Sequence, residues 1–169
     1  MLVYSQVMVT ESLDSVDKVI WILPFLALLD TASTLYLDSL GRSSPPFVRG
    51  FFATFFVTPD PMLTYSLVVV YVIAFLVFSF ILSYMKNKLD SSEAVGKLVF
   101  LVLLAVIGYI YLRLTASFIV NFFYFPITSR GIDLQGITMV VYASTAFSLG
   151  YYIWHDVVAW VRSDGDQGP

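Results

Sequence analysis

Asp30, Thr34 and Asp38 are spaced four residues apart. On a helix that spacing puts them on one face, one above the other. Ser33 and Ala27 flank this stripe. Arg113, Ser117 and Asn121 repeat the same spacing later in the chain, with Gly108 and Ala105 nearby. His155 stands beside Asp156, between Trp154 and Trp160, and follows Ser144, Ser148, Tyr151 and Tyr152. Around all of these the chain is strongly apolar. An ionisable side chain in hydrocarbon is expensive and is a functional candidate together with its partner. Two chemistries suit the set. Asp30 and Arg113 form a buried clamp that fixes helix order, or Asp30 takes part in a proton or ion relay.

The elements that hold these residues follow from composition. The chain has 169 residues, of which 59% are hydrophobic, 17% aromatic and 12% charged. An ordinary soluble domain is about 45–50% apolar and about 25% charged. A soluble chain of this length exposes too much surface to hide so many apolar side chains. The mean hydropathy of +0.84 agrees. A soluble enzyme fold and disorder are therefore excluded as primary readings. The net charge is −3, and without a basic patch nucleic-acid binding is excluded.

Four apolar stretches run over 18–40, 62–85, 97–125 and 134–161. Each has about 20 residues or more, the length that crosses roughly 30 Å of hydrocarbon. Their Val, Ile, Phe and Tyr content would suggest strands in water, but a lone strand in lipid leaves its backbone unpaired, so helices are expected. The third is long enough to tilt, kink or extend beyond the bilayer. A fifth run at 47–57 has 11 residues, contains Arg49, and lies between Pro45-Pro46 and Pro59-Asp60-Pro61. It is too short to span and reads as an interfacial helix. Asp14 or Ser15 is placed to cap the lead-in to the first helix. The expected fold is all-α: a polytopic membrane protein with four transmembrane helices and a short interfacial helix after the first. It forms one domain over residues 1–163, with a disordered tail at 164–169. The first 17 residues carry no basic residue and so lack the positive start of a secretory signal.

With four spans, Lys18, Lys86, Lys88, Lys97 and Arg162 fall on the side of both termini, and Arg42, Arg49 and Arg130 on the other. Lys and Arg near span ends favour the cytoplasmic side. A cell-membrane location with both termini cytoplasmic is expected. Trp21, Trp154 and Trp160 fall near that same boundary, where indole rings prefer to lie.

Depth supports the clamp. At about 1.5 Å per residue, Asp30 lies roughly 18 Å in from Lys18, and Arg113 roughly 24 Å in from Lys97. The two helices run the same way, so Arg113 would fall between Asp30 and Asp38. His155 reads as an interfacial side chain making a local hydrogen bond. The chain has no cysteine and a single histidine, so no metal site and no cofactor is expected. Nucleophile-elbow, zinc-protease and phosphate-loop motifs are missing. An intramembrane acid protease needs carboxylates on facing helices, and here both lie on one.

Asp30-Thr31-Ala32-Ser33-Thr34 followed by Gly41 resembles a family of small prokaryotic membrane proteins whose first helix carries D-x-x-x-T and a glycine seven residues on. That family continues with an E-x-N-P turn, where this chain has Arg42, Ser43, Ser44, Pro45 and Pro46. Asn121 is similar to a family Asn. The family lacks an assigned activity, so the resemblance implies a fold more than a function. The expected function is non-catalytic: a small accessory or scaffold subunit of a larger membrane complex, with membrane lipids and other membrane subunits or copies of itself as partners. Faces such as Phe51, Phe52, Phe55 and Phe56 would supply those contacts. The alternative is an oligomeric transporter or proton or ion channel with Asp30 in a buried relay.

Overall fold

Hydrocarbon offers no water to backbone N–H and C=O groups, so each long apolar run closes its own hydrogen bonds as a helix. The structure, a computed structural model, describes residues 14–42, 49–56, 60–89, 94–124 and 134–162. Helix α1 is Asp14–Ser39, the short α2 is Phe51–Phe55, and α3 is Pro61–Leu89. Helix α4, Ala94–Ile119, continues as a π-helical turn over Val120–Tyr124, and α5 is Leu134–Arg162. Helices α1, α3, α4 and α5 are each long and apolar enough to cross a membrane. Among the described residues there is no strand. This is the expected all-α, four-span architecture, with α2 as the short helix after the first span. The expected tail at 164–169, the prolines at 45–46, and Arg130 lie outside the described residues.

Helix α1 is the axis of the bundle. Over its most apolar stretch it is 56% buried, against 17%, 17% and 11% for α3, α4 and α5. Its buried positions, among them Val16, Ile20, Leu23, Ala27, Asp30, Ser33, Thr34 and Leu37, recur at helical spacing. Trp21, Ile22, Phe25 and Leu28 on the other side are exposed. Towards lipid, large apolar residues are free of penalty. Towards other helices, small and hydroxyl side chains allow close approach and hydrogen bonding. That distribution explains why the one helix rich in Asp, Ser and Thr is the central one.

Pro24 lies inside α1. It has no N–H, so the carbonyl of Ile20 loses its partner four residues on. The hydroxyl of Ser79 in α3 donates to that carbonyl at 2.9 Å, and both groups are buried. The defect in one helix thus becomes a link to the next.

The helix ends are closed by recognisable chemistry. Gly41, at φ +66°, follows α1. Arg42 N–H donates to the Leu37 carbonyl at 3.0 Å and Gly41 N–H to that of Asp38 at 2.8 Å, the Schellman pattern. Asp60 precedes Pro61 at the first position of α3, and its carboxylate accepts the N–H of Met62 at 2.9 Å. At the start of α1 the Asp14 side chain lies outside the described residues, and the Ser15 hydroxyl does not cap the helix. The Ser15 N–H donates to the carboxylate of Asp156 in α5 at 3.2 Å, while the Ser15 hydroxyl has no partner. Nearby, buried Lys86 pairs with Asp17, which joins the C-terminal end of α3 to the N-terminal end of α1.

Candidate functional site

The centre of the candidate site is Asp30, fully buried about two-thirds of the way along α1. Its Oδ1 accepts the hydroxyl of Ser117 at 2.7 Å. Its Oδ2 accepts the backbone N–H of Phe52 and the hydroxyl of Tyr71, each at 3.1 Å. The three donors belong to α4, α2 and α3, so one carboxylate ties three elements to α1. Ser117 in turn accepts the Asn121 amide N–H at 3.1 Å. The carbonyl oxygen of Asn121 is buried without a hydrogen-bond partner. Asn121 lies in the π-helical turn, a distortion often found at functional positions.

The bond to Phe52 has a clear cause. The first N–H groups of a helix have no partner inside it. Helix α2 begins after Gly50, and Gly50 offers no capping side chain. The Asp30 carboxylate fills that role from another helix, where an anion also meets the positive end of the peptide dipoles. Gly50 makes the approach feasible. A Cβ there would overlap the Asp30 carboxylate and come within 2.6 Å of the Ser117 hydroxyl. Behind the node Phe52 is fully buried, stacked on Phe56 and edge-on to Tyr71.

The other residues singled out in the sequence take separate places. The hydroxyl of Thr34 donates to the backbone carbonyl of Asp30 at 2.9 Å, as does that of Ser33. Both are local helix bonds that leave the carboxylate to its interhelical donors. Asp38 is exposed, two turns beyond the site. His155 is exposed and stands 3.6 Å from its neighbour Asp156. Ser148 and Tyr152 line a surface pocket of about 340 Å³ together with Lys18 and Tyr111.

The expected contact between Asp30 and Arg113 is not formed. Arg113 donates to the hydroxyl of Tyr142 in α5 at 3.1 Å. Its charge acts on Asp30 across space, without a hydrogen bond between them. Arg113 would lie nearest Asp30 only if Lys18 and Lys97 stood at about one level. In the structure Ser117, 20 residues past Lys97, meets Asp30, 12 past Lys18. Lys97 therefore lies roughly 12 Å farther from the site along its helix, at about 1.5 Å per residue. The offset brings Ser117, one turn beyond Arg113, to the carboxylate.

Tyr71, Gly50 and the Phe52 backbone were not legible in the sequence as parts of this site. Tyr71 was signalled only as a hydroxyl within the purest apolar run, LVVVYVIAFLVFSFIL. Among the described residues no group of three or more His, Cys, Asp or Glu is placed to hold a metal ion. Comparison with family models, with curated proteins and with solved structures finds no match to this chain. The positions that carry the first-helix motif nevertheless have separate physical roles here. Asp30 is the hydrogen-bond centre, Thr34 is bonded back to its carbonyl, and Gly41 closes the helix.

Proposed function

We propose that this protein is a non-catalytic integral membrane protein, a small scaffold or accessory subunit of a larger membrane assembly. The observation that carries the reading is the use made of Asp30. Its carboxylate is occupied by donors from three elements, so the most expensive side chain in the spans serves to hold the bundle together. Buried polar groups with all partners supplied rigidify a core and specify one arrangement. The lipid-facing sides of α3, α4 and α5 carry large exposed apolar residues, Phe80, Tyr109 and Phe147 among them, which suit lipids and neighbouring subunits. We place the protein in the cell membrane with both termini cytoplasmic, because the lysines gather on that side.

A second reading is supported by a different observation. Asp30, Ser117 and Asn121 form a continuous polar line that ends in an acceptor with no partner. An oligomeric transporter or proton channel would use such a line as its relay. Proton flux into proteoliposomes of purified protein separates the readings. A scaffold gives no flux in the wild type, and Asp30→Asn changes only its melting temperature. Flux in the wild type that disappears in Asp30→Asn at an unchanged melting temperature would establish the relay instead.

A further inference from the structure

An acceptor is left over at the end of the Asp30 line. Asn121 is fully buried, and its Oδ1 receives no hydrogen bond. Its Nδ2 donates to the Ser117 hydroxyl at 3.1 Å, and that hydroxyl donates to Asp30 Oδ1 at 2.7 Å. Buried acceptors are nearly always paired, because an unmade bond leaves the cost of desolvation uncompensated. This orphan belongs to a side chain whose acceptor and donor are a half-turn apart and nearly alike in shape. Half a turn about the last side-chain bond of Asn121 puts Oδ1 where Nδ2 now stands, facing the Ser117 hydroxyl.

The two oxygens of Asp30 are not equivalent. Oδ2 receives the Phe52 N–H and the Tyr71 hydroxyl, and a backbone N–H can only donate. A proton on Oδ2 would displace the cap of α2. Oδ1 meets a hydroxyl, which both donates and accepts. A proton there turns the line round. Asp30 Oδ1–H then donates to Ser117 Oγ, and the Ser117 hydroxyl needs an acceptor of its own. The rotated Asn121 Oδ1 supplies it.

We propose that Asp30 takes up one proton from solvent on Oδ1, and that Asn121 turns its amide to accept the reversed hydrogen-bond chain, so that the bundle stays closed in both charge states. The step adds one proton to Asp30, and its reversal returns that proton to water. Ser117 and Asn121 only rotate, and neither gives up a hydrogen. Asn121 is therefore a positioning residue and not a carrier, and the inference holds for a scaffold and for a relay alike. The charged and titratable groups around Asp30 keep their places. Tyr71 of α3 stays on Oδ2. Arg113 of α4 acts across space and is held by Tyr142 of α5. Helix α2 carries no titratable side chain, and Arg49 precedes it.

Nuclear magnetic resonance of the full chain in detergent micelles, with the asparagine side-chain nitrogens isotopically labelled, reads the turn directly. The chain has two asparagines, Asn87 and Asn121, and Asn87→Gln tells their signals apart. As the pH is lowered from alkaline to mildly acidic, the Asn121 amide protons are expected to shift upfield in one transition, because their bond to Ser117 is given up. The transition coincides with the growth of a carboxylic-acid band in the infrared that is missing in Asp30→Asn. In Asp30→Asn the introduced amide nitrogen donates to Ser117 as the protonated acid does, so the Asn121 signals stand at their acidic position at every pH. Ser117→Ala cuts the line, and the acid band grows without any response from Asn121. Melting curves show that both variants are folded. Asn121 signals that stay fixed while wild-type Asp30 titrates overturn the proposal. So does an acid band that never forms before unfolding, a position in Asp30→Asn that matches the alkaline wild type, or a shift that persists in Ser117→Ala.

Discussion

The carboxylate of Asp30 accepts the backbone N–H of Phe52 at 3.1 Å, across 22 residues of sequence. A side chain at mid-helix thereby acts as the N-terminal cap of a different helix. The same group also receives the hydroxyls of Tyr71 and Ser117, so its removal releases three donors at once. Interhelical hydrogen bonds in membranes average about 0.6 kcal/mol and reach about 1.7. Asp30→Ala is therefore expected to lower stability by roughly 2–4 kcal/mol, measured by thermal unfolding in detergent. Protease sensitivity around residues 49–56 should rise with it. Asp30→Asn keeps one acceptor oxygen and should lose about half as much. An unchanged melting temperature in Asp30→Ala would mean that the node contributes nothing to folding.

Gly50 tests the same contact from the other side. Gly50→Ala places a methyl group against the Asp30 carboxylate, and overpacking of this kind costs about 1–3 kcal/mol. The penalty should shrink in an Asp30→Ala background, where the obstruction is gone. Equal losses in both backgrounds would place the cause in the backbone of α2 rather than in the contact.

Ser79 and Pro24 form a second pair. Ser79→Ala removes the hydroxyl of α3 that donates to the Ile20 carbonyl and leaves a buried acceptor in α1, at a cost of about 1–3 kcal/mol. Pro24→Ala restores the N–H that Ile20 lacks. The expected result is that Ser79→Ala is much less harmful in a Pro24→Ala chain. Chemical unfolding of the four proteins reads the coupling, and additive losses would contradict it.

Arg113 is expected to couple to Tyr142 and only weakly to Asp30. Double-mutant cycles with Arg113→Leu should give an interaction energy of about 0.5 kcal/mol or more with Tyr142→Phe. The cycle of Arg113→Leu with Asp30→Leu should be smaller, because those two side chains act across space. Reversed magnitudes in detergent melting would restore the direct clamp.

The orientation is checked in intact cells with single cysteines at Ser43 and Ser91. Labelling at Ser43 alone by a membrane-impermeant reagent is the expected outcome. Labelling at Ser91 alone would invert the topology.

The number of spans, their helical nature and the short helix after the first were legible in the sequence, because they depend on length and on the lack of water in hydrocarbon. The buried face of α1 was legible too. Asp30, Ser33 and Thr34 are costly towards lipid, so their side had to face inwards. Ser117 and Asn121 could be picked as candidates by the same argument. Their partners could not be chosen, because a carboxylate with an arginine and a serine one turn apart on the next helix has two plausible matches.

Only the tertiary structure decided between them. Charged residues at span ends fix depth to no better than a turn or two, since long side chains reach the interface from different levels. An offset of about two turns between α1 and α4 brings Ser117, and not Arg113, to Asp30. Nothing in the local sequence shows that Gly50 must lie against a carboxylate, or that Tyr71 is the hydroxyl that meets it. Those facts arise from how close three helices and a short fourth approach one another. By itself the sequence determined that a buried acid must be satisfied. Packing determined by whom.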